Sequence, residues 1–290
     1  MRKTSFILLF LMCFLSNIGA RAQSYYTMTE YGLAFGCSQY FGDLNNNYGF
    51  KTINMAYGVY LRYHLNQFIS VKLVTNYTHI GYDDKYNSNP FEKERNLNFQ
   101  TDIYEAVLQA EFNFFRFATG DPEHRYTPYL TGGIGGFLYD PYTIYNGTVY
   151  HLRPLGTEGQ KIGYNDRQYD VASMCFPIGA GFKMWLLGGV NLNIEIADRI
   201  VTTSYLDDVS ATYVGINSFK ANSIASKLQD RSIEVNDPNT PALGRPGKQR
   251  GTTSRQDNYL MMMMSLSWHF KSYKCPQYLN DDMIRVRRRG

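Results

Sequence analysis

Beyond its first 22 residues the 290-residue chain has no run of 18 apolar residues, so no segment of the mature part reads as a membrane-spanning helix. It also has little net charge. The formal +4 falls to +1 once residues 1–22, with Arg2, Lys3 and Arg21, are set aside, and the closing RVRRRG holds four arginines, leaving residues 23–284 near −3. A nearly neutral body with a basic tip excludes a nucleic-acid-binding surface. Catalytic and metal-binding signatures are missing as well. There is no C-x-x-C or H-E-x-x-H, and none of His64, His79, His124, His151 and His269 has a neighbour at metal-ligand spacing. GGIGGF at 132–137 lacks the lysine and the following helix of a phosphate loop. No nucleophile stands beside a base. We therefore expect no catalytic residue, no metal, no cofactor and no enzymatic activity.

What the chain has is an export signal and many aromatic residues. MRK, the apolar SFILLFLMCFLS and ARA before Gln23 form a signal peptide ending at Ala22. The remainder contains most of 25 Tyr and 18 Phe, arranged in alternation with small or polar residues. Many aromatics, strict alternation and no long apolar run are the pattern of an all-β, eight-stranded antiparallel up-and-down transmembrane barrel. We expect the leader at 1–22, the barrel over 23–270 and a periplasmic tail over 271–290.

Eight segments alternate. Thr29 to Gly42 puts Tyr31, Leu33, Phe35 and Cys37 outward, while Gly32, Ala34, Gly36 and Ser38 make room inside for neighbours such as Tyr60 and Arg62. INMAYGVYLRYHL, FISVKLVTNYTHI, TDIYEAVLQAEFNFF, PYLTGGIGGFLY, VASMCFPIGAGFKMW, VNLNIEIADR and NYLMMMMSLSWHF follow, and in the last of these MMMM divides into two outward and two inward residues. Alternation alone fits a soluble sandwich equally well. Export, segments of spanning length and the aromatic close SWHF favour the barrel. A basic side chain facing lipid at mid-bilayer costs about 2–4 kcal/mol. Arg62, Lys72, Glu105, Glu111, Glu195 and Arg199 therefore face inward as a lumen charge network, a simpler account than a catalytic pairing of Glu105 with Glu111. A barrel of this size is filled by its own side chains, which disfavours a porin.

The connections alternate too. Those at 66–67 and 187–189 are short, whereas those near 43–51, 82–98, 140–169 and 201–256 are long, as periplasmic turns and external loops are. Within the longest, NSFKANSIASKLQDR has apolar residues at helical spacing, and NDPNTPALGRPGKQRG has the composition of turns and disorder. The GDLNNN corner after the first strand faces outside. An even strand count puts both ends in the periplasm, and it places Trp185 and Trp268 at the periplasmic interface as anchors in the lipid bilayer. One link is oversized for its side. RFATGDPEHRYT at 116–127 reads either as a partner-docking surface formed by Asp121, Glu123, His124 and Arg125, or as a plug packed into the barrel mouth. Removal of Cys13 leaves an odd number of cysteines. Cys37 faces lipid and Cys175 the lumen, so Cys275 in the tail is the thiol available for an intermolecular disulfide.

FGCSQYFGDLN, FRFATGDPEHRYTPYLTGGIGGFLYDP, LRPLGTEGQ and SYLDDVSATYV resemble the PorG-like family of outer-membrane barrels, associated with the type IX secretion system. The likeness runs from about residue 30 to 275, with TGDPEHRYTPY and LGTEGQ as its most specific parts. It implies a Gram-negative outer-membrane anchor that contacts a periplasmic ring of lipoprotein and partner subunits, which Asp121, Glu123, His124, Arg125 and Cys275 would meet. The long region before the last strand and the arginine-ended tail depart from the family pattern. Two other classes remain open: a small surface-binding or adhesion barrel acting through its external loops, and an outer-membrane enzyme.

Overall fold

A computed structural model describes residues 29–235, 241–252 and 256–269, all within the compact unit 28–271. The expectations for the leader 1–22 and for the tail 271–290 with Cys275 lie outside the described residues. Ten strands follow in order: β1 (Thr29–Phe41), β2 (Asn54–His64), β3 (Ile69–Asp83), β4 (Asn98–Asn113), β5 (Tyr126–Leu138), β6 (Tyr142–Tyr145), β7 (Thr148–His151), β8 (Ala172–Leu187), β9 (Val190–Val201) and β10 (Asn258–His269). All strands but β6 and β7 form one antiparallel sheet, each paired with its chain neighbour. Pairing of β1 with β10, from Glu30↔His269 to Phe41↔Asn258, closes it into a barrel of eight strands. The additions are β6 and β7, a hairpin that meets the wall at Gln100↔Tyr142.

The alternation in the sequence becomes the two faces of the wall. Tyr31, Leu33 and Phe35 of β1, Tyr57, Val59 and Leu61 of β2, and Met262, Met264 and Leu266 of β10 are exposed on the outside, whereas Met261 and Met263 are buried within. Every lysine and arginine of the eight strands is buried inside: Arg62, Lys72, Lys183 and Arg199. Three acids on the outward side, Asp83, Asp102 and Asp198, lie toward the long-loop end with partners, Asp83 with Lys85 at 2.8 Å. Asp102 pairs with His79 at 3.0 Å, and Asp198 accepts hydrogen bonds from Asn258 at 3.0–3.1 Å. An apolar exterior around a charged interior is the inverse of a water-soluble protein and matches a bilayer as solvent. Among the described residues no helix is long and apolar enough to cross a membrane; the crossing is made by strands.

The short turns are locally encoded. Asn66 Oδ1 accepts the backbone N–H groups of Phe68 and Ile69 at 2.8 Å each, shaping the β2–β3 turn. Gly188, at φ +53°, sits in the two-residue β8–β9 turn. At the opposite end the long loops fold into a cap, where the sequence reading needs correction. The GDLNNN corner lies at this long-loop end, on the side expected of it, but Asp43, Leu44 and Asn45 are buried within the cap. Phe41 has outward parity but is only 5% exposed, because Tyr48 and Phe50 cover it with ring centroids 5.0 and 5.6 Å away. The long connection at 201–256 contributes buried Leu206, Val209, Tyr213, Val214 and Leu228, and buried Arg250 comes from the NDPNTPALGRPGKQRG run read as turns and disorder. The expected short helix is present (Ile224–Gln229), with Ser223 as its cap. A polar segment folds here because its partners are in other loops. Arg250 reaches Glu158 at 2.9 Å, and its carbonyl accepts from Arg95 of the 82–98 loop at 2.7 Å.

Candidate functional site

Three polar assemblies are stacked along the barrel. The middle one is the lumen network. Arg62 contacts Glu30 at 2.6 Å and Glu111 at 2.8 Å. Glu111 also takes Lys183 at 2.6 Å and Lys72 at 3.4 Å, and Lys72 lies 2.6 Å from Glu195. Arg199 meets Glu105 at 3.3 Å. All six residues expected to form the network are thus brought together, and Lys183 and Glu30 complete it. Tyrosines fill the rest: Tyr129 donates to Glu195 at 2.9 Å and Tyr259 to Glu105 at 2.6 Å. Gly32 is required by this crowding, since a Cβ there would lie 2.1 Å from the Tyr60 ring. The cavity left among these side chains is about 20 Å³, room for a single water.

At the short-turn end, the oversized link divides into two limbs. The inner limb buries Phe117 and Ala118. Thr119 Oγ1 lies 2.9 Å from His269 Nε2 and 3.2 Å from Asn191 Oδ1. This limb therefore plugs the mouth. In the outer limb, Asp121 accepts the Glu123 N–H at 3.0 Å and pairs with His124 at 2.7 Å. Arg125 donates to the carbonyls of Trp185 and Leu186 at 3.0 and 3.3 Å. These three side chains hold the turn's own shape, while Glu123 projects outward. The two tryptophans lie at this end. Trp268 faces outside. Trp185 sits where the register shifts, half-buried under Arg125, and its indole N–H donates to Gly188 O at 3.0 Å.

Beneath the plug lies an arrangement that spacing in the sequence did not reveal. Glu30 Oε2 is 2.8 Å from His64 Nε2 and 3.3 Å from His269 Nε2, and the two rings stack with centroids 5.5 Å apart. Barrel closure makes these residues neighbours, for Glu30 stands opposite His269 and next but one to His64 across β2. Parity offered a signal for Glu30, which lies two residues before inward Gly32.

The third assembly is in the cap. Tyr40 OH donates to Asp207 at 2.5 Å and to Asp257 at 3.2 Å, and Asp43 accepts the Thr252 N–H at 2.8 Å. Burial pushes Asp43 up to about 6. Burial and the charge of Asp43 push Asp257 up to about 8, and burial with both neighbouring charges raises Asp207. Asp208 rises to about 6 through burial, opposed by Arg250. These groups hold protons that an open loop with carboxylate pKa near ~3.9 would release. Their contribution to cap stability is complete below that value and is lost as pH rises through about 6 and then about 8. The expected result is that amide exchange over residues 202–212, corrected for its intrinsic pH dependence, accelerates between pH ~5 and ~8.5. Asp257→Asn should flatten the upper part of that rise. A pH-independent rate would refute the account.

Among solved structures, Neisserial surface protein A is 9% identical with TM-score 0.40, the match covering 83% of this chain and 97% of that one. Ail, the attachment invasion locus protein of Yersinia pestis, solved with the heparin analogue sucrose octasulfate, is 10% identical with TM-score 0.39, covering 83% and 97%. OprG from Pseudomonas aeruginosa is 7% identical with TM-score 0.35, covering 85% and 98%. The fold assignment rests on the pairing of this chain's own strands. Among curated proteins none matches the chain. A family model described as a domain of unknown function, DUF6089, matches residues 3–227, so the chain belongs to the DUF6089 family.

Proposed function

We propose that this protein is a non-conducting outer-membrane barrel that acts as a surface-binding scaffold in a Gram-negative bacterium, with its short turns in the periplasm and its folded cap outside. The observation that carries the reading is the closed interior. A lumen filled by ion pairs to a cavity of about 20 Å³, plugged at one mouth by Phe117, leaves the ends as the working surfaces. The ordered cap supports binding at the outer face, since a preorganised surface loses less conformational freedom on binding. The reading includes no catalysis.

A second reading, anchorage of a type IX secretion ring at the periplasmic end, is favoured by the resemblance noted above and by exposed Glu123 and Arg125 on the outer limb. Under it, Cys275 could add a disulfide to a partner. Deleting the gene separates the two readings. Normal export with lost surface binding supports the scaffold, whereas secreted proteins retained in the cell would overturn it in favour of the ring. Substituting Glu123 and Arg125 then tests the dock: undiminished co-purification of ring subunits would sink it. For either reading, the purified barrel should show no conductance steps in a planar bilayer.

A further inference from the structure

The geometry points to a transition-metal site at the periplasmic mouth of the barrel, formed by Glu30 Oε2, His64 Nε2 and His269 Nε2, with Zn²⁺ as the best-matched ion. This goes beyond the proposed function and does not depend on it. The three ligand atoms all lie within 4.8 Å of one another and come from β1, β2 and β10. A tetrahedral ion with bonds of roughly 2.0–2.2 Å holds its ligands about 3.3–3.5 Å apart. The observed separations from Glu30 Oε2, 2.8 and 3.3 Å, need only sub-ångström adjustment. Two imidazoles and one carboxylate form a borderline donor set suited to zinc.

The surrounding groups are arranged as a second layer around such an ion. Glu30 Oε1 is occupied, accepting from Arg62 Nη1 at 2.6 Å and from the Ser267 hydroxyl. The carboxylate therefore presents Oε2 alone to the two rings. Arg62 is itself shared with Glu111 at 2.8 Å, so it does not cancel the charge of Glu30 by itself. His64 Nδ1 lies 2.8 Å from Ser70 Oγ, the second-layer contact that orients a metal-bound imidazole with Nε2 toward the ion. Thr119 Oγ1, 2.9 Å from His269 Nε2, stands on the plug where a fourth ligand or its water would come. The three residues lie at the strand ends, buried directly under that turn, so an ion enters as the plug opens. An ion bound there would tie the first strand to the last at the seam where the barrel closes.

The test uses the full mature chain, without a histidine tag, folded in detergent and titrated with Co²⁺. We expect a saturable visible absorption band at one ion per chain that Zn²⁺ displaces. Zn²⁺ should also raise the thermal unfolding midpoint. His269→Ala and His64→Gln, each checked for folded mobility on a gel, should weaken binding by at least about tenfold. His79→Ala, on the outer face with Asp102, should leave it unchanged. A wild-type barrel with neither the band nor the thermal shift overturns the assignment without reference to any variant. Binding that survives in His269→Ala, or is lost in His79→Ala, overturns it as well.

Discussion

Glu111→Ala should destabilise the barrel by about 3–5 kcal/mol, the cost of leaving buried charges without their partner. Glu111 is the hub of the lumen, within 2.6 Å of Lys183, 2.8 Å of Arg62 and 3.4 Å of Lys72. Its removal leaves Lys183 with a hydrogen bond to Asn113 at 3.0 Å and, among the described residues, no carboxylate within ion-pair distance. The outcome can be read as the shift in urea midpoint of the folded, fast-migrating band in detergent. The comparison that isolates the cause is Lys72→Met combined with Glu195→Leu, which removes both members of a 2.6 Å pair. Replacing both charges by apolar groups is often neutral or stabilising, so the double variant should cost far less than Lys72→Met alone. If Glu111→Ala costs under about 1 kcal/mol, the network contributes no more than surface ion pairs do, and the account of the lumen fails.

Leu33→Arg should cost about 2–4 kcal/mol in a lipid bilayer, the value for a basic residue at the midplane. Leu33 is 57% exposed on the outer face and sits mid-wall between Val59 and Leu266. Tyr31→Arg, one outward step nearer the short-turn interface beside Trp268, should cost about 0–1 kcal/mol. Reversible folding into lipid vesicles measures both. The gradient with depth is the informative part. Equal costs for the two variants, or none for either, would mean that this face does not meet hydrocarbon.

The fold was legible because its signals are local. In β4, Tyr104, Ala106, Leu108, Ala110 and Phe112 alternate with Glu105, Gln109 and Glu111. A strand's period of two, with a high cost for charge in lipid, assigns each set its side. The same reasoning placed all six network residues inside, but not their pairings. Lys72 pairs with Glu195, from the far wall, because the barrel's radius brings them to 2.6 Å, a distance that no spacing encodes.

Strand number, the faces of the wall and the alternation of short with long links thus follow from a period that each segment carries within itself. Three features arise only when distant segments meet. Closure of β1 on β10 gathers Glu30, His64 and His269 from opposite ends of the chain. The RFATGDPEHRYT link plugs the mouth by burying Phe117 and setting Thr119 against Asn191 and His269, a choice its composition left open. The cap exists because loops too polar to build a core alone satisfy one another's polar groups, Arg250 with Glu158 and Arg95 with the carbonyls of Asp43 and Arg250. Ion pairs and closure are long-range terms, and they become defined only once the wall holds the loops side by side.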